Sequence, residues 1–82
     1  MIRILYFASL RERLGRGEES LDDVPATVGE LRSALARRGG EWDEAFADGQ
    51  RVLAAVNQEM ADAGRSIRDG DEIGFFPPVT GG

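Results

Sequence analysis

Cysteine, histidine and lysine are all absent from this chain of 82 residues. Each absence removes a class of chemistry. Without Cys or His there is no thiolate nucleophile, no imidazole base and no ordinary zinc site. Without Lys there is no Schiff base and no phosphate loop of the Walker type. Carboxylates, ten arginines, a few hydroxyls and the chain ends are what remain for chemistry. Positive charge is scarce as well, with a net charge of −5. Nucleic-acid binding needs a basic footprint that releases counterions, so that class is excluded, and an acidic lipid surface is disfavoured for the same reason. No apolar run approaches the roughly 20 residues of a membrane span, and the opening Met-Ile-Arg-Ile-Leu-Tyr-Phe lacks the organisation of a signal peptide. The expected location is the cytoplasm. The length allows one domain, whose core must hold without disulfide or metal staples.

What is present reads as a mixed α and β pattern. Residues 2–8 carry Ile2, Ile4, Leu5, Tyr6 and Phe7, a strand with apolar residues on both faces and therefore a central one. A short helical turn over 10–14 ends at Gly15 and Gly17. Residues 18–24 read as an exposed second strand, joined to the first most economically as a hairpin. Thr27 and Glu30 form a capping box, with Ala26 and Leu31 at the staple positions. Val28, Leu31, Ala34 and Leu35 follow at helical spacing, and Arg37-Arg38 before Gly39-Gly40 closes that helix. Residues 41–46 form a short helical segment with Trp42 and Phe46 inward, and Asp48-Gly49 turns the chain. Residues 51–56 are a third strand, Asn57-Gln58 a turn, and a short edge strand is expected near Arg65-Ser66-Ile67. Asp69-Gly70-Asp71 is a tight turn, and 72–76 the last strand, stopped by Pro77-Pro78. The expected architecture is α+β, one mixed sheet with a main helix across one face. The domain spans 1–76, and 77–82 form a flexible tail.

Few groups could carry chemistry. Asp69, Asp71 and Glu72 cluster, but Asp-Gly-Asp reads as a turn, and so small a chain forms no deep cleft for converging carboxylates. Arg11 and Arg13 could clamp an anion or an acidic partner, or could form a solvated face. The C-terminal run is different. Phe75-Phe76-Pro77-Pro78-Val79-Thr80-Gly81-Gly82 has no charged side chain, in a protein that is 30% charged. Two prolines stiffen its start and two glycines leave its end without a Cβ. From Pro77 to Gly82 the chain reaches roughly 20 Å at about 3.3–3.6 Å per residue. A slim, stiff-based probe of this kind can enter a channel that rejects any side chain. Its carboxylate is ionised and unreactive at neutral pH until activated, most simply as an acyl-adenylate. With no Cys, His or Lys in the chain, partners must perform that activation.

The run from Asp69 to Gly82, the opening Ile4-Leu5-Tyr6-Phe7-Ala8 with Arg11-Glu12, and Leu53-Ala54-Ala55-Val56-Asn57-Gln58 resemble the small subunits of molybdopterin synthase, the MoaD family. The resemblance covers essentially the whole chain. It implies a ubiquitin-like β-grasp fold with the first and last strands parallel at the sheet centre. It also implies a sulfur carrier. A MoeB-like adenylating enzyme would use MgATP on Gly82, a persulfide sulfurtransferase would leave a thiocarboxylate there, and a MoaE-like large subunit would receive the tail. Sulfur would then pass to cyclic pyranopterin monophosphate, two sulfurs per dithiolene, in a heterotetramer of two small and two large subunits. No cofactor would be bound by this chain. Carried over by position, Gly82 is the sulfur-bearing residue, while Pro77, Pro78, Val79, Thr80 and Gly81 form the inserting tail. Phe7, Met60 and Phe75 match positions that present apolar groups to partners, and Arg11 matches a contact to the activating enzyme. A carrier for thiazole synthesis or tRNA thiolation, a ubiquitin-like protein modifier, and a plain interaction domain with an inert tail remain the alternatives.

Overall fold

The computed structural model describes residues 1–47 and 51–78. The turn expected at Asp48-Gly49 and the tail residues Val79, Thr80, Gly81 and Gly82 lie outside the described residues. The first strand, β1 (Ile2–Tyr6), buries Ile2, Ile4 and Tyr6 on one face and leaves Arg3 exposed and Leu5 half-buried on the other. It is thus an interior strand with one fully covered face. At Ala8 the backbone swings to φ 53 and the chain enters α1 (Ala8–Leu14), which buries Leu10. Gly15, at φ 74, ends it and donates its N–H to the Arg11 carbonyl at 3.1 Å. The second strand, β2 (Glu18–Leu21), pairs antiparallel with β1. The two strands form the expected antiparallel pair, and the helical turn expected over 10–14 lies in their connection, beginning two residues earlier at Ala8.

The main helix, α2 (Val28–Ala36), starts where the capping residues place it, with Thr27 Oγ1 accepting from the Glu30 N–H at 3.2 Å. The reciprocal bond goes one residue further back than a strict capping box, since Glu30 Oε2 accepts from Ala26 N at 3.0 Å. Val28, Leu31 and Leu35 are buried, whereas Ala34, expected on the same face, is exposed. A short α3 (Glu41–Phe46) follows Gly39 and Gly40, both at positive φ, and seats Phe46 in the core with Trp42 packed half-buried beside it.

Two strands, β3 (Leu53–Val56) and β4 (Glu59–Ala61), form a hairpin through Asn57 and Gln58 at φ 50 and 71. That two-residue loop moves the edge strand to residues 59–61, away from the expected 65–67. The later segment instead serves the start of α2. The Arg65 and Ala63 carbonyls accept from Val28 N and Gly29 N at 3.0 and 2.9 Å, and Ile67 N donates to the Ala26 carbonyl at 2.9 Å. Two of the N–H groups that a helix start leaves unpaired are satisfied this way. Left-handed backbone costs an L-residue about 1–2 kcal/mol, partly offset in a glycine by its greater unfolded-state freedom. Gln58→Gly should therefore stabilise the protein by about 0.5 kcal/mol and raise Tm by about 2–4 °C in a thermal melt.

The last strand, β5 (Glu72–Phe76), lies at the middle of the order β2-β1-β5-β3-β4, parallel to β1 and antiparallel to β3. Helices cover one sheet face, and the core between the layers joins Ile2, Ile4, Tyr6, Ile73 and Phe75 to Leu31, Leu35 and Phe46. This is the ubiquitin-like β-grasp, α+β with a mixed five-stranded sheet.

Candidate functional site

The strand β5 ends at Phe76 with β1 and β3 on either side, so Pro77 and Pro78 follow from a strand held by neighbours on both sides. On that strand the side chains alternate, as the pleat requires. Ile73 and Phe75 point into the core, and Glu72, Gly74 and Phe76 point to the face the helices leave open. Across the open face one row runs Leu5, Gly74, Ala55 and Met60, by the pairings Leu5↔Gly74, Ala55↔Gly74 and Ala55↔Met60. The adjacent row pairs Leu53 with Phe76.

Phe7 completes the patch. It lies beyond the last β1 residue, fixed by its N–H donating to the Phe75 carbonyl at 3.0 Å. Its ring stands edge-on to Phe76, with centroids 6.4 Å apart. The ring fills the space over Gly74, where a Cβ would come within 3.0 Å of Phe7 Cε2. Phe7 is 46% exposed and Met60 62%, unusual for side chains of that size in a small domain. Arg3 borders the patch, paired with Glu18 at 2.8 Å and with Glu72 at 3.7 Å. The result is an apolar surface with a charged rim, beside the root of the tail. That is the anatomy of a docking surface.

The residues expected at the site fall out as follows. Phe7 and Met60 share the open face, and Pro77 and Pro78 are half-buried at the tail root. Phe75 does not belong with them. It is fully buried against Phe46 and Tyr6 and presents nothing to a partner, a correction to the expectation. Its neighbour Phe76 occupies the surface place, together with Leu5, Leu53 and Ala55, which sequence reasoning missed. The signal was available in the alternation, since Phe75 shares parity with Ile73 and Phe76 with Glu72. Arg11 stands exposed on α1 with its guanidinium across Gly17, and it makes no ion pair among the described residues. Gly81 and Gly82 lie outside the described residues.

The carboxylates of the Asp69–Asp71 turn are engaged, that of Asp69 by the Met1 amino group. The Arg68 N–H, first, and the Asn57 amide donate to Asp71 and hold its carboxyl below the ordinary range. Gly70 makes the turn at φ 90. No group of three metal-binding side chains occurs among the described residues, and no helix there is long and apolar enough to cross a membrane.

A second polar cluster holds β2 to the helices. Glu19 accepts from the Tyr6 hydroxyl at 2.7 Å and from Arg38 through two bonds of 2.8 and 2.9 Å. Arg38 also lies 4.4 Å above the Trp42 ring. Burial pushes the Tyr6 hydroxyl far upward, and the adjacent Glu19 adds to this, so Tyr6 remains a donor. For Glu19, burial raises the carboxyl, but the hydrogen bonds from Arg38 and Tyr6 outweigh it and leave the group lowered. A lowered carboxyl contributes stability above its unfolded value of about 4.3 and loses it as the pH falls through the folded value. Glu19→Gln should cost about 2 kcal/mol at pH 7. The gap from the parent should close as the pH drops below about 4, in melts recorded across pH.

Comparison with known proteins adds five findings. The family model described as the ThiS family matches residues 4–82. The molybdopterin synthase sulfur carrier subunit of Escherichia coli is 46% identical over 83 residues, covering all of both chains. That of Haemophilus influenzae is 42% identical over 82 residues, again covering both in full. Among solved structures, SAMP1 from Haloferax volcanii superposes with a TM-score of 0.77 at 32% identity, over 99% of this chain and 98% of that one. A chain from the complex of subunits 1 and 2 of molybdopterin-converting factor of Helicobacter pylori agrees in fold, with a TM-score of 0.67, 23% identity and coverage of 99% and 97%.

Proposed function

The chain belongs to the ThiS family, and from that premise we propose that it is the sulfur carrier subunit of a molybdopterin synthase. The observation that carries this reading is the full-length likeness to two relatives bearing that name, together with an exposed apolar patch at the root of the Gly-Gly end. In this reading the Gly82 carboxylate attacks the α-phosphorus of ATP on a MoeB-like partner, releasing pyrophosphate and forming an acyl-adenylate. A persulfide sulfur displaces AMP, and cleavage of the resulting acyl disulfide by a thiol leaves the thiocarboxylate. A MoaE-like subunit then receives the tail, and sulfur passes to cyclic pyranopterin monophosphate with return of the carboxylate. The body of this chain contributes aim and docking, because β5 is held on both sides by β1 and β3 and Phe7, Phe76 and Met60 supply the apolar contact.

The direct test is mass spectrometry after incubation with MgATP, a competent activating enzyme and a sulfur source. Displacement of the activated oxygen by sulfur should add about 16 Da to the chain. An unchanged mass with a verified partner would sink the proposal. Docking is checked separately. Phe7→Asp should leave the thermal midpoint within a few degrees, since the ring is half exposed. Loss of a central aromatic anchor of about 2 kcal/mol should weaken binding to the large subunit roughly 30-fold, read by calorimetric titration.

A further inference from the structure

A slot distinct from the open sheet face runs between β2 and α2. Backbone pairing shows that its strand side is free. Tyr6 N donates to the Gly17 carbonyl at 2.9 Å, whereas Arg3 N and Phe7 N donate to the carbonyls of Asp71 and Phe75 on the β5 side. Hydrogen-bonded and non-bonded pairs alternate along an antiparallel ladder. Glu19 and Leu21 therefore spend their backbone groups on β1, while Glu18 and Ser20 turn theirs outward, to an edge on which no strand sits among the described residues. An unpaired edge is a template for a further strand.

Beside that edge the slot encloses about 480 Å³. Leu21, Pro25, Ala34 and Leu35 give it an apolar floor. Ala34 completes the helical stripe of Leu31 and Leu35 yet stays exposed, so the apolar face of α2 is wider than the core covers. The lip carries Asp22 and Asp23, which form no ion pair among the described residues. Arg38, the cation lining the slot, is already committed to Glu19 and Trp42. The uncompensated charge at the lip is thus negative.

We propose that this slot receives an extended, basic segment of a partner protein, added as a strand beside β2. Its backbone pairs with Glu18 and Ser20, alternate apolar side chains enter over Leu21 and Ala34, and a Lys or Arg meets Asp22 and Asp23. Main-chain bonds supply affinity, and the floor and lip supply specificity. The slot opens at the outer edge of β2 on the helix side, so an occupant leaves Phe7, Phe76, Met60 and the tail root free. The carrier can be held by one protein while it docks to another.

The test uses the full chain, labelled with nitrogen-15, and a synthetic peptide, acetyl-Lys-Lys-Val-Thr-Val-Thr-Val-amide, with a counterpart bearing Glu for Lys. The basic peptide should shift amides of residues 18–23 and 34–38 and slow exchange of the Ser20 amide. The acidic counterpart should bind at least tenfold more weakly, about 1.4 kcal/mol. Asp22→Lys combined with Asp23→Lys should reverse that preference. Ala34→Arg, at an exposed helical position, should fill the slot and remove the response while thiocarboxylate formation at Gly82 continues. No shifts at millimolar peptide, shifts centred on Leu5 and Met60, or equal response to both peptides would each overturn the proposal.

Discussion

Replacing Phe75 with alanine is expected to cost about 3–5 kcal/mol and to lower the thermal midpoint by more than about 15 °C. The ring is fully buried at the centre of the sheet, 5.1 Å from Phe46 in an edge-on contact and 6.5 Å from Tyr6 in a stacked one. Truncation removes the transfer energy of the ring and leaves a cavity walled by β-strands that cannot close on it. A domain of this size has only about 5–10 kcal/mol to lose, so the variant should be partly unfolded at 37 °C. Phe76→Ala is the contrast. Its ring is half-buried on the open face, so the stability loss should stay below about 1.5 kcal/mol while binding to the large subunit suffers. Urea denaturation of both variants decides the matter, and equal losses would contradict the assignment of faces.

Deleting Gly82 should have the opposite signature. The last strand ends at Phe76, and among the described residues the buried core lies wholly before Pro77. The urea midpoint should therefore match that of the full chain, while the gain of about 16 Da that marks replacement of oxygen by sulfur should vanish. Gly81→Ala should also slow the reaction severely, because a Cβ next to the terminal residue widens a probe that glycine keeps thin. Sulfur uptake by the truncated chain at the parental rate would refute the assignment of Gly82, whatever the state of the fold.

Much of the architecture was legible because its signals are local. The Thr27 cap, the apolar spacing of Val28, Leu31 and Leu35, and the Gly39-Gly40 stop each act within one or two turns, and α2 begins and ends between them. The strand at 72–76 was legible for the same reason, bounded by a turn and two prolines. One misread element depends on partners distant in the chain, and the other on a tight turn made by two non-glycine residues. Residues 65–67 pair with the start of α2 some forty positions earlier, and β4 exists because Asn57 and Gln58 accept left-handed backbone. Neither contact leaves a periodic trace. At the site, the resemblance names Phe7 and Met60, which the structure leaves exposed, and Phe75, which it buries. Two adjacent phenylalanines face opposite ways in a strand, and only parity with Ile73 tells them apart.

By itself the sequence determined which side-chain chemistries this chain lacks. A chain without Cys, His or Lys holds no nucleophile of those kinds, and its Gly-Gly end carries no charged side chain. It likewise determined the helix and the strand that leads to the tail, since caps, glycines and prolines act over a few bonds. Only the tertiary structure decided what is surface. The helix layer covers one side of the sheet and leaves the other bare, which turns Phe75 into core and places Phe7, Phe76 and Met60 on an apolar open face. It also leaves the β2 edge open beside Ala34. Burial is a property of two layers meeting, and no single segment carries it.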